Sequence, residues 1–236
     1  MWEQGIEAVA DIANDDLVMP VKEQSKIEYK SLFEFFGLNN HDTTSLVNLA
    51  SKYSNASVTP HSTYSVQDRE FCDICSRYSE LLSLHFLESE NEALLYHDTG
   101  SLHAWYHKMG WKCDFLGYGS PAKRVAECIP HESRLLLVHN TLATASDIQN
   151  IERAISGHVT WVLCPESNRY ISNLCPPVTL LDEMGVNIAI GTDSLASARS
   201  LSMVDNLRLL KGISLEKLLG YATINGAKGL GIDSTK

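Results

Sequence analysis

His85 and Glu88 stand three residues apart in LSLHFLES, a spacing that lets both side chains face one cavity. A neutral imidazole is a common metal ligand, and a carboxyl group beside it can shuttle protons. His139 closes the apolar run LLV, and Asp193 follows IAIG in IAIGTDS. Each residue alone has an ordinary reading. A His and a Glu at that spacing also form surface pairs, a His after an apolar run can be a satisfied core residue, and an Asp there can cap a helix. Together they offer nitrogen and oxygen donors plus one acid–base carboxyl, a set that suits a borderline divalent metal.

Such residues need a scaffold that brings strand ends to one place. Apolar, strand-like runs occur at 6–12, 27–35, 56–62, 81–88, 134–140, 158–165 and 186–193. Several are nearly continuous, as expected for parallel strands buried on both faces. Helical patterns lie between them: TTSLVNLASKY, QDREFCDICSRYSELL, PAKRVAECI, ASDIQNIERAIS and VTLLDEMG. Ser146 is the expected N-cap of the fourth, with Gln149 three residues on. Alternation of β and α predicts an α/β fold with a parallel sheet. Five strand ends carry chemistry: Pro60-His61-Ser62, His85-x-x-Glu88, His139-Asn140, the Cys164–Asn168 segment and Thr192-Asp193-Ser194. A (β/α)8 TIM barrel gathers all its strand ends on one face, whereas a doubly wound sheet uses mainly one switch point. The barrel is therefore expected. No Gly-rich phosphate loop follows a strand.

The chain has 236 residues, with 29 acidic against 19 basic ones, a net charge of −10. That balance argues against a nucleic-acid surface, and no run reaches the ~20 apolar residues of a membrane span. No secretory signal is visible, so a cytoplasmic protein with reduced cysteines is expected, as one domain over residues 1–236. A homodimer is compatible with this reading. Cys72 and Cys75 form a C-x-x-C within an amphipathic pattern and read as two helix cysteines without special chemistry, a redox pair or half a zinc site being the alternatives. His97, His103 and His107 read as an aromatic-polar helix, the alternatives being metal ligands, with His103 and His107 at i, i+4 spacing, or a lid over the site.

TPHSTYS, LSLHFLES, LLVHN, VLCPESN and IAIGTDS, in that order, resemble successive motifs of the amidohydrolase superfamily. The likeness is to its metal-dependent deaminase and chlorohydrolase branch. ATINGAKGLGI is similar to the segment leaving the barrel there. The resemblance implies metal ligands at His85 and Asp193, with His139 holding the metal, its water or the substrate. It implies Glu88 as the proton carrier, Asp193 as the acceptor of a proton from water, and His61 as a substrate contact. Asn168 would be structural or substrate-facing. Arg169, Tyr64 and Trp105 are further pocket candidates, offering charge and aromatic surface. The implied cofactor is a divalent metal, zinc expected and iron the alternative, and the implied partner is a small-molecule substrate. The reaction would be hydrolytic deamination of an amino-heterocycle, purine or nucleoside-like. Dechlorination at the same site, or a non-catalytic binding domain, are the alternatives. The family's first-strand His-x-His is absent from this sequence, and GIEAVADI matches the family's second strand. Seven of eight βα units, no β-sandwich, and a fragment that holds metal weakly and turns over little are therefore expected.

Overall fold

The computed structural model describes residues 1–232. The strands are β1 (Ala8–Ala13), β2 (Glu28–Phe35), β3 (Ala56–Pro60), β4 (Leu82–Phe86), β5 (Arg134–His139), β6 (His158–Leu163) and β7 (Asn187–Ile190). All seven expected strands form, each within or close to the expected run. The helices are α1 (Met19–Glu23), α2 (Thr44–Ala50), α3 (Asp68–Arg77), α4 (Glu90–Leu95), α5 (Gly100–Lys108) and α6 (Pro121–Cys128). They continue with α7 (Ala145–Ala154), α8 (Pro165–Ser172), α9 (Val178–Glu183), α10 (Met203–Leu209), α11 (Leu215–Ala222) and α12 (Ile224–Leu230).

Every strand pair is parallel, and the strands run in sequence order as β1-β2-β3 and β4-β5-β6-β7. Among the described residues this is the wall of a parallel barrel that does not close, with β1 and β7 as the outermost strands. The two sheets meet along a seam. Pro60 ends β3 and has no N–H to give a ladder. The Thr59 hydroxyl substitutes for it, accepting from Ser83 N at 2.8 Å and donating to Ser83 O at 2.6 Å. At the carboxyl end the seam is closed by an isolated bridge between Ser62 and His85.

Strand alternation sorts the side chains onto two faces. Phe33, Val58, Leu82, Leu84, Leu135, Leu137, Trp161 and Ile188 join the main core with the helices. Leu32 and Leu136, with Leu81, Ala10, Val162 and Leu230, fill a smaller cluster on the opposite face. A third cluster, Leu38, Leu95, Tyr96, Tyr106 and Phe115, supports the α4–α5 excursion after β4.

One local expectation is corrected. Thr144, not Ser146, is the N-cap of α7: Asp147 N donates to its hydroxyl and the Asp147 carboxylate accepts from Thr144 N, a full capping box. An Asp can accept from both Thr144 groups at once, and that decides between two neighbouring hydroxyl residues. Both cysteines of the C-x-x-C lie on α3, as expected, but in different surroundings. Cys75 is buried in the main core, and Cys72 faces α6.

Candidate active site at the carboxyl ends of the strands

β4 places His85 on the inner face, because Leu84 and Phe86 on either side belong to the outer core. By the same alternation His139 would point outward with Leu135 and Leu137. It does not. His139 takes a left-handed backbone, φ 79°, and its ring meets His85, Nε2 to Nδ1 at 2.9 Å. The rings lie nearly parallel with centroids 5.0 Å apart. His61, just after β3, lies beside His85 with ring centroids 4.7 Å apart and planes tilted by 33°. Its Nδ1 is held by the Ser62 and Ser65 hydroxyls at 2.9 and 2.8 Å.

Three histidines expected from sequence are thus gathered into one cluster. Glu88 joins them, with a carboxylate oxygen 3.7 Å from His139 Nε2. Its pKa is raised, chiefly by burial, with Asp193 adding to the effect against the pull of His85. Asp193 also has a left-handed backbone, φ 55°. Its Oδ2 accepts from the Ser167 and Ser197 hydroxyls at 2.5 and 2.8 Å. Burial opposes ionisation there, but these two bonds and the nearby His139 outweigh it and keep the carboxyl below its ordinary range.

Sequence reasoning missed Glu34. It sits on the inner face near the end of β2, one oxygen 3.4 Å from His85 Nε2. The available signal was a carboxylate inside LFEF, an otherwise apolar strand run. Burial pulls the His85 pKa down, yet the hydrogen bond and charge of Glu34, with Glu88 and Asp193, win and hold it above the ordinary value. His139 goes the other way, because it is buried and lies against His85. His61 is pushed down to about 4, chiefly by burial. His61 and His139 are therefore neutral near pH 7.

Asn168 is fully buried on α8, and its Nδ2 lies 3.1 Å from His139 Nδ1. Its Oδ1 has no partner. The two ends of an amide are nearly alike in shape, so the reverse orientation places Oδ1 on His139 Nδ1. Nδ1 then carries the ring proton and the Nε2 lone pair faces His85, which is the tautomer a metal ligand needs. The orphaned oxygen therefore fits a metal site. So does the donor set: His85, Glu88 and His139 offer atoms within 4.8 Å of one another, and Glu34, His61 and His85 do likewise. Asp193 joins neither group among the described residues. Arg169 is exposed on α8, and its side chain makes no hydrogen bond or ion pair among the described residues. A cleft of about 440 Å³ lies alongside, lined by Tyr64, Ser89, Asn91, Glu92, Ser101, Leu102 and Trp105.

Parallel strands that present histidines and carboxylates at their carboxyl ends define a (β/α)-barrel scaffold with its site on that face. The chain belongs to the amidohydrolase family, whose sequence pattern matches residues 39–236. It is 25% identical to an adenosine deaminase of Helicobacter pylori, over 98% of this chain and 61% of that one. It is 28% identical to an aminodeoxyfutalosine deaminase of Nitratiruptor, over 77% of this chain and 42% of the relative. The crystal structure of H. pylori aminofutalosine deaminase with methylthio-coformycin superimposes with a TM-score of 0.81 at 25% identity, covering 98% of this chain and 61% of that one. The chain thus spans about three fifths of the H. pylori protein's length.

Proposed function

We propose that this site hydrolytically deaminates an amino-heterocycle of the adenosine type. The observation that carries the reading is the facing pair His85–His139 with Glu88 beside it. His85 and His139 would hold a divalent metal, zinc or iron, with Asp193 as a further ligand. When bound, such a cation supplies Lewis acidity and makes water acidic near neutral pH.

The remaining roles belong to the chain's own groups. Asp193, kept ionised by Ser167 and Ser197, accepts a proton from the attacking water. Glu88, with its raised pKa, holds a proton closer to neutrality than an ordinary carboxyl, so it can protonate a ring nitrogen and then the leaving amine. His61 lies beside His85 and perpendicular to the Tyr64 ring, 5.8 Å between centroids. Tyr64 and Trp105 give the adjoining cleft apolar walls for a planar base, and Ser89, Asn91 and Ser101 offer polar partners. The similar proteins include deaminases of adenosine and aminodeoxyfutalosine, which supports an adenosine-like substrate. The chain meets its substrate as a cytoplasmic enzyme in this reading. Among the described residues no helix is long and apolar enough to cross a membrane.

The test is ammonia release from adenosine, 5′-deoxyadenosine derivatives and guanine, with zinc or ferrous iron added, together with metal analysis. Release from an adenosine-type compound that Glu88→Gln abolishes supports the reading. Equal release by parent and variant, or none from any amino-heterocycle, overturns it.

A further inference from the structure

Away from the strand ends, α3 and α6 pack against each other and bring two cysteines together across 56 residues of sequence. Cys72 Sγ and Cys128 Sγ are 2.8 Å apart. A chain of hydrogen bonds leads away from them. The Cys128 thiol donates to the Tyr118 hydroxyl at 3.1 Å, and that hydroxyl donates to Asp68 Oδ2 at 3.1 Å. Arg124 lies 3.4 Å from the other Asp68 oxygen. Both cysteines are partly open to solvent, whereas Cys75 is buried.

We propose that Cys72 and Cys128 form a reversible redox pair that exchanges with low-molecular-weight disulfides and covalently ties α3 to α6. The sulfur positions favour this over a metal. Two thiolates on one tetrahedral zinc stand about 3.8 Å apart, since each Zn–S bond is about 2.3 Å. The observed separation is already shorter, and a disulfide needs about 2.05 Å. Asp68 is the one carboxylate grouped with the two sulfurs, and Arg124 already occupies it.

The chemistry assigns different tasks to the two thiols. When Cys128 is ionised, Cys72 and Tyr118 both donate to its sulfur, which lowers its pKa. Deprotonating Cys72 would discard its bond to Cys128, so its pKa is raised. Cys128 is the nucleophile. Its thiolate attacks one sulfur of the small disulfide RSSR, forming Cys128–S–S–R and releasing RS⁻. Cys72 then loses its proton and attacks the Cys128 sulfur, closing the Cys72–Cys128 bond and releasing a second RS⁻. The protein gives up two electrons and two protons, and RSSR becomes two RSH.

The tie would sit under the loop that carries His61. Arg124, on α6, donates to Thr63 O at 2.7 Å and to Val66 O at 3.1 Å. Asp68 begins α3 immediately after that loop.

The purified chain is equilibrated with oxidised glutathione or with excess dithiothreitol, then alkylated under denaturing conditions and mapped by mass spectrometry. The expected result is a fall from six free thiols to four, a joined Cys72–Cys128 peptide pair, and full recovery with dithiothreitol. Cys72→Ser should stop at one glutathione on Cys128. Cys128→Ser should leave Cys72 reacting at least about tenfold more slowly than Cys128 does in the parent. A Cys72–Cys75 link, a lasting glutathione adduct on the parent, or six retained thiols overturns the proposal. So does one zinc per parent chain that both serine variants lose. The parent chain alone gives the mapping result, so a variant that fails to fold leaves the test intact.

Discussion

The strands carry two unlike layers. Below their carboxyl ends Leu32, Leu81 and Leu136 pack into a small apolar floor. At their carboxyl ends Leu87, His139, Asn140 and Asp193 all take positive φ, between 46° and 79°. Non-glycine residues there cost of order 1–3 kcal/mol each, and such strain persists only where the surroundings impose it. The same end holds Glu34, His61, His85, Glu88 and Asp193, charged or titratable groups set into the inner face. The floor contributes stability by excluding water. The mouth gives up stability to aim side chains that alternation alone would have pointed elsewhere.

Changes at four positions would break or sharpen that contrast. Glu88→Gln keeps shape but removes the proton carrier, and ammonia release should fall about 10²–10⁴-fold with the urea midpoint little changed. Leu136→Ala opens a cavity in the floor. Urea unfolding should show a loss of about 2–5 kcal/mol, while any fall in turnover should track only the unfolded fraction. Asn168→Leu removes the amide behind His139, and competition with a chelating dye should show metal affinity weaker by about 10–100-fold. Asn168→Asp restores an acceptor and should recover part of it. Last, Asn173 caps α8 at φ 53° and is exposed. Asn173→Gly relieves the backbone and should raise stability by a few tenths of a kcal/mol in thermal melts, leaving activity unchanged. Strain at the mouth that could be relieved as harmlessly as at Asn173 would defeat the comparison.

The fold was readable because continuous apolar runs such as RLLLVH and HVTWVL carry their own strand signal. Their polar carboxyl ends were readable for the same reason: a charge after such a run is conspicuous. Glu34 was hidden because a lone carboxylate in a strand looks like ordinary solvent-facing alternation until both faces are known to be covered. The turn of His139 toward His85 was hidden because it depends on φ, which residue type does not announce at a histidine. The partner of Cys72 was hidden because the nearer Cys75 offers a familiar spacing, while the residue that meets it belongs to another helix. Asn168 showed its place in a motif but not its bond to His139, which depends on how α8 packs.

Arg124 has no exposed surface and lies between the rings of Phe71 and Phe115, with its guanidinium 4.3 and 4.2 Å from their centroids. It bonds two carbonyls of the His61 loop at once. A lysine carries the same charge but neither a flat face for two rings nor a fork for two carbonyls. The position is therefore closed to the commonest basic exchange. Sequence drift in this chain should leave its surface lysines and arginines interchangeable while Arg124 stays fixed, although it lies outside the candidate site.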